Sequence, residues 1–374
     1  MSQPTRIGLP RMHKEPGERR DFLPSFVARL VSPEALILLE YSYGSGMGFV
    51  QQDYTKLSPG VEFASREEAF QQDYVLVLRS PTDDEIRSLR PGACLISMLH
   101  FPTRPHRVEL LSELGLEAIS LDSIKDDTGR RLVENLQAVA WNGIEAAFRV
   151  LRSTYPAPGF GSPDRGPIQV TLMGAGAVGS HVVQAAVRYG DEAARQRLAG
   201  HNIPGVQVTV VDYDTTAHEN IMQAILRKTD LLVDATQRPD PGSPVISNSW
   251  IRYLPEHAVL LDLSVDPYDC DNNPPYVKGI EGIPQGNLDK YIFSPRDPEF
   301  DLLPECVDTT NRRHTVSCYS WPGIYPKRCM EVYGRQIAPL MRMLIGKGGI
   351  KEINPKGNYF ERALTRARLS HWQG

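Results

Sequence analysis

The chain of 374 residues is short of several things, and each shortage excludes a class of protein. It has no run of about 18 apolar residues, so the sequence offers no membrane-spanning helix. It has little excess charge of either sign: 41 basic against 45 acidic residues leave a formal −4. That removes the broad electrostatic reason to expect nucleic acid or an anionic membrane surface. It has only five cysteines, Cys94, Cys270, Cys306, Cys318 and Cys329, with no CxxC pair. Sparse, odd-numbered and unclustered, they read as free thiols in a reducing compartment, with no metal site. The opening stretch "MSQPTRIGLPRMHKEPGERR" has no apolar h-region, so no secretory signal is expected and a cytoplasmic protein is. There is no internal repeat and no low-complexity tract.

What remains is an alternation of short apolar runs and helical patterns. "RIGL", "EALILLEYS", "YVLVLRSP", "ACLISML" and "EAISLDSI" read as strands. "LPSFVARLV", "TDDEIRSLR" (Thr82 as its cap) and "RVELLSELG" read as helices. "LVENLQAVAWNGIEAAFRVL" shows long helical periodicity, and the Pro- and Gly-rich "TYPAPGFGSPDRGP" follows as a linker. A second alternation runs from Ile168 to about Ser264. Two more helices, "YPKRCMEVYGRQIAPLMRMLIG" and "NYFERALTRARLSHW", close the chain. Strands alternating with helices imply parallel sheets wound in βαβ units. The expectation is an α/β protein with two Rossmann-like parallel-sheet domains, linked by long helices around an interdomain cleft. Residues 1–133 with 331–374 form a substrate domain, and residues 134–330 a nucleotide domain with its linking helix.

The strongest local motif is "VTLMGAGAVGSHVVQAAV". Gly174, Gly176 and Gly179 form GxGxxG between the strand "IQVTLM" and a helix. The first glycine permits a tight turn, the second lets backbone approach a pyrophosphate, and the third lets helix and strand pack closely. The first helical residues, Ala177 and Val178, turn their amide groups and the helix dipole toward the phosphate. The next strand, "VQVTVVDYD", delivers Asp212, an acid placed to bond ribose hydroxyls and repel a 2′-phosphate. NAD is therefore expected over NADP. Asp212 falls 33 residues after Gly179, further than usual, and only one short helical stretch separates it from "DLLVDAT". There is no room for the third strand of a full mononucleotide half. "HAVLLDLSVD" reads as a strand ending at Asp266 that brings Ser264 and Asp266 to the carboxyl ends of the sheet.

Several stretches resemble a known family. "RIGLPRMHKEPGERRDFLPSFV" is similar to the opening of alanine dehydrogenases and of the NAD-binding subunit of proton-translocating transhydrogenases. "YGSGMGFVQQDY", "YVLVLRSPTDDEIRSLRPGACLISMLHF", "LLVDATQRPDPGSPVISNSWIRYLPEHAVLLDLSVD" and "YSWPGIYPK" follow in the family's order. The short path after Asp212 and "LDLSVDPYDCDNNPPY" resemble the saccharopine dehydrogenase branch. The resemblance implies a substrate-carboxylate arginine at Arg19 or its neighbour Arg20. It implies a catalytic histidine at His100 and an acid near the nicotinamide and substrate amine at Asp266. It also shows a departure: Arg79, in "RSP", stands where the family has a lysine. Arginine does not readily lose its proton, so it would orient and polarise rather than act as a base. Ser320 and Trp321 replace an Asn-Met pair beside the nicotinamide, and Trp321 would reshape the substrate pocket.

The function implied is an NAD-dependent oxidoreductase acting on the C–N bond of an amino acid or N-substituted amino acid. Its partner would be a small-molecule amino-acid or oxo-acid substrate. Neither nucleic acid nor membrane would be a partner, and the resemblance leaves a homo-oligomer open. The alternative is a nucleotide-sensing protein that keeps the fold without the chemistry.

Overall fold

The computed structural model describes residues 4–13, 15–238 and 240–373. They divide into two compact units, Met1–Asn135 with Tyr325–Gly374, and Leu136–Ile324.

The first unit is built on six strands: β1 (Thr5–Leu9), β2 (Ala35–Glu40), β3 (Val61–Ala64), β4 (Tyr74–Arg79), β5 (Cys94–Met98) and β6 (Glu117–Ser120). Their order is β3-β2-β1-β4-β5-β6, and every pair is parallel. A parallel sheet with helices on both faces buries both faces of its strands, which is why "YVLVLR" is an unbroken apolar run. Five of the six residues of β4 are buried. The helix Pro326–Gly346 returns to this unit and adds Met330, Ile337, Met341 and Leu344 to its core. Chain direction reverses across the sheet between β1 and β4, and the carboxyl ends beside such a reversal are where ligands bind. Arg79 is the last residue of β4, and His100 follows β5 by two residues.

The second unit opens with the helix Leu136–Thr154. Its strands are β7 (Ile168–Met173), β8 (Val206–Val211), β9 (Leu231–Asp234), β10 (Val259–Asp262), β11 (Ile292–Phe293) and β12 (His314–Ser317). The order is β11-β12-β10-β9-β7-β8, parallel except for β11. Among the described residues no strand lies beyond β8, as the short path after Asp212 implies. Alternate residues of the central strands feed two cores. Leu231, Val233, Val259 and Leu261 pack on one face, and Leu232 and Leu260 on the other. Each fully buried leucine or valine is worth about 1.5–3 kcal/mol, so both helical layers are firmly held.

Three expectations are corrected. The stretch "VEFA", absent from the strands expected above, forms β3. The helix expected from "LPSFVARLV" is a single turn, Pro24–Val27. The strand expected to end at Asp266 ends at Asp262, so Ser264 and Asp266 lie on the loop beyond it. The thiols also differ: Cys270 and Cys306 form a disulfide, while Cys94, Cys318 and Cys329 are free and buried. The bonded pair is 36 residues apart, and a pairing set by Cα proximity (6.1 Å) leaves no mark in local spacing. Among the described residues, no helix is long and apolar enough to cross a membrane.

Candidate functional site

The glycine turn has the geometry that the motif demands. Gly174 sits at φ +87°, a conformation that disfavours any side chain, and a Cβ there would lie 2.9 Å from the Ala235 carbonyl oxygen. A Cβ on Gly179 would lie 2.2 Å from the Gly174 oxygen, so this glycine lets the helix Ala177–Ala186 close on the turn. Gly176 caps that helix, and nothing lies within 4 Å of where its Cβ would be. Gly176 and Ala177 are exposed and Val178 is half-buried. The turn therefore presents open backbone at a helix N-terminus. Asp212 directly follows β8, next to β7 in the sheet, and is exposed. Its carboxylate accepts the Tyr213 amide at 2.8 Å and caps the helix Tyr213–Thr216.

Next to this turn, the carboxyl ends of β9, β10 and β12 carry a buried polar network that the sequence did not announce. Asp234 ends β9 and Asp262 ends β10, in register. The Ser264 hydroxyl lies 3.2 Å from one Asp234 oxygen and 3.1 Å from one Asp262 oxygen. Lys278, buried like both acids, donates to Asp262 at 2.9 Å, to the Asp266 carbonyl at 2.7 Å and to Gln285 at 2.5 Å. Ser317, the last residue of β12, donates to Asp262 at 3.0 Å. Burial raises the Asp262 pKa, but Lys278 outweighs it and holds the carboxyl below its ordinary value. Asp234 has no such cation: burial, then the charge of Asp262, push it up to about 6. Asp266 is ion-paired with Arg238 at 2.8 Å. Ser320 accepts the Gly323 amide through its carbonyl at 2.8 Å and is half-buried.

In the first unit, His100 takes left-handed backbone at φ +56° directly after β5. Its amide donates to Asp122 at 3.2 Å, and its Nδ1 lies 3.4 Å from the other oxygen of the same carboxylate. The Ser120 hydroxyl donates to Asp122 at 2.8 Å. Burial raises the Asp122 pKa, but the bonds from His100 and Ser120 prevail and hold it at about 2. The imidazole is 45% exposed and its carboxylate partner 7%, so the pair presents an oriented base on a fixed anion. Arg79 donates to Glu15 at 2.8 Å.

The two alternatives for a carboxylate-binding arginine separate. Arg19 is exposed. Arg20 is 2% exposed, and its guanidinium donates to both oxygens of Glu18, at 2.8 and 2.5 Å. Burial lowers the Arg20 pKa, but Glu18 reverses the effect and raises it. Trp321 is 1% exposed; its indole N–H donates to the Asp262 carbonyl at 2.8 Å, and its ring meets Tyr291 edge-on. Arg20 and Trp321, both expected at a substrate surface, thus lie in packed interiors. The physical reason is the same for each: a partner supplied by the fold satisfies the polar group and lets the rest be buried.

Residues 8–140 match the family model described as the N-terminal domain of alanine dehydrogenase/PNT. The alanine dehydrogenase of Geobacillus stearothermophilus is 22% identical over 340 residues, covering 85% of this chain and 91% of that one. That of Bacillus subtilis (strain 168) is 24% identical over 367 residues, covering 93% and 87%. Over most of its length the chain is thus similar to alanine dehydrogenases, and its first part matches their N-terminal domain. Solved structures share the fold: an L-alanine dehydrogenase superposes with a TM-score of 0.70 at 19% identity, covering 97% of this chain and 94% of that one. A transhydrogenase from Sinorhizobium meliloti gives 0.64 at 16% identity, covering 96% and 97%. Sequence reasoning missed Asp122, Glu15, Glu18, Asp234, Asp262, Lys278 and Arg238. Only Asp122 left a usable signal, as an acid at the end of the strand next to that of His100.

Proposed function

We propose that the protein is an NAD-dependent oxidoreductase acting on the C–N bond of an amino acid or N-substituted amino acid. The observation that carries the reading is the open glycine turn at Gly174–Gly179, in a chain similar to alanine dehydrogenases that also holds an acid-oriented histidine. Gly174, Gly176, Ala177, Val178 and Gly179 would hold the pyrophosphate, Asp212 the ribose, and Ser264 and Ser320 the nicotinamide end. When bound, NAD supplies the acceptor for two electrons and one hydrogen from substrate Cα. The chain's residues do the rest. Arg19 holds the substrate carboxylate, and Arg79 orients a second polar group. His100 moves a proton to or from the substrate nitrogen or water as the C=N bond forms or is hydrolysed. Asp266 steadies the amine.

Arg79 favours a secondary amine over alanine itself, because it is ion-paired to Glu15 and cannot serve as a base where relatives have lysine. The same observation favours a second reading, a nucleotide sensor without turnover. The proposal includes a cytoplasmic setting, against which the disulfide weighs.

The test mixes protein and NAD with a panel of amino acids and follows absorbance of reduced coenzyme, then runs 2-oxo acids with amines in reverse. NAD-dependent turnover supports the dehydrogenase; binding without turnover across the panel supports the sensor. Unchanged turnover in His100→Ala would remove the proposed proton shuttle.

A further inference from the structure

Val265 has φ +61°, left-handed backbone that a β-branched residue rarely adopts. Such strain persists only where the surroundings over-determine it, and it concentrates at functional sites. The surroundings here are specific. The Val265 amide donates to Asp262 at 3.0 Å. Lys278 reaches across the same turn, with one donor on the Asp262 carboxylate and another on the Asp266 carbonyl. Its third donor is on Gln285, so all three ammonium hydrogens are used. Arg238 fixes the Asp266 side chain from outside the turn and anchors itself on the carbonyls of Ser243 and Val277.

A buried ammonium is a poor stabiliser beside an apolar side chain of equal size, because desolvation consumes most of the Coulomb gain. What it supplies is direction: three short donors fix three acceptors at once. We propose that Lys278 is a positioning residue, which holds the Asp262–Asp266 turn in its strained form and thereby sets where the Asp266 carboxylate points. This rests on the reading of Asp266 as the acid beside the substrate amine.

The test uses the full chain with Lys278→Met and Asp262→Asn combined, so that no buried carboxylate is left unpaired. Two readouts are taken. Amide hydrogen exchange of the peptide covering residues 262–268 is expected to quicken about tenfold or more as the turn opens. With a turned-over amine, kcat is expected to fall by about 10- to 100-fold, the scale of a misplaced group. Adding Val265→Asn, which tolerates left-handed backbone, is expected to restore part of kcat. Unchanged exchange overturns the proposal. So does a kcat loss that tracks a lowered melting temperature and is not recovered by Val265→Asn. If the parent protein turns over nothing, the dehydrogenase reading fails, while exchange still decides whether Lys278 holds the turn.

Discussion

Asp122 grips His100 twice, with one carboxylate oxygen on its backbone amide and the other 3.4 Å from its Nδ1. The grip fixes both the residue's left-handed backbone and the plane of its ring. Asp122→Asn is therefore expected to lower kcat by about 10- to 100-fold with KM little changed, read from steady-state kinetics on any substrate found. The acid also carries a stability signature. Its folded-state pKa, about 2, is depressed below the ordinary 3.8. The contribution, about 2 kcal/mol, is present above about pH 4 and lost as pH falls through 2. Acid unfolding followed by circular dichroism should start at higher pH in the variant.

Two glycines of one turn should separate packing from binding. A methyl on Gly179 would sit 2.2 Å from the Gly174 oxygen, whereas on Gly176 it would meet nothing in the chain. Gly179→Ala is expected to lower the melting temperature and abolish coenzyme binding together. Gly176→Ala should melt as the parent does and lose NAD affinity by about tenfold or more, some 1.4 kcal/mol by calorimetric titration.

Asp234, the buried acid of the network that Lys278 does not pair, gives an opposite pH dependence. Asp234 has its folded-state pKa raised from 3.8 to about 6. Its contribution is thus present below about pH 4 and lost as pH rises through 6. The loss is at most about 3 kcal/mol. Asp234→Asn should raise stability at pH 8 relative to pH 4.5, seen as a flatter melting profile. Asp21, also buried and pushed up to about 6, leaves a residual slope in the same window.

Under non-reducing conditions the unfolded chain is expected to react with three equivalents of thiol reagent, since Cys270 and Cys306 are joined. Reduction should destabilise the protein by about 3–4 kcal/mol, the loop-closure value for 36 residues. Denaturant titrations with and without reductant measure it. Five equivalents without reductant would contradict the pairing.

The parts of the site that were legible are those whose chemistry is local. A strand, a glycine turn and a helix occupy consecutive residues, so Gly174, Gly176 and Gly179 were readable together, and Thr82 was readable as a cap because its bond goes only three residues on. His100 and Asp122 are 22 residues apart, just past the ends of neighbouring strands, and only sheet order joins them. Lys278 sits in "NPPYVKGIEG", where a lone lysine looks solvated; three acceptors from separate segments make it otherwise. "GERRD" mixes charges of both signs as a solvated surface does, yet the Glu18 and Arg20 side chains are buried as a pair, with Cys329 beside Arg20 from 309 positions away. Trp321 shows the converse: resemblance located it, but only packing shows that its indole serves the core.

The two sheets carry a lesson about reading folds from connectivity. The one that follows the complete six-strand dinucleotide order, 3-2-1-4-5-6, is the N-terminal one. Its first strand runs into Pro10 and, after a polar loop, a four-residue helix headed by Pro24. The connection carries no GxGxxG motif. The truncated sheet, which lacks a partner beyond β8, is the one whose first strand ends in a glycine turn. Topology alone points to the first sheet, and the glycine turn points to the second.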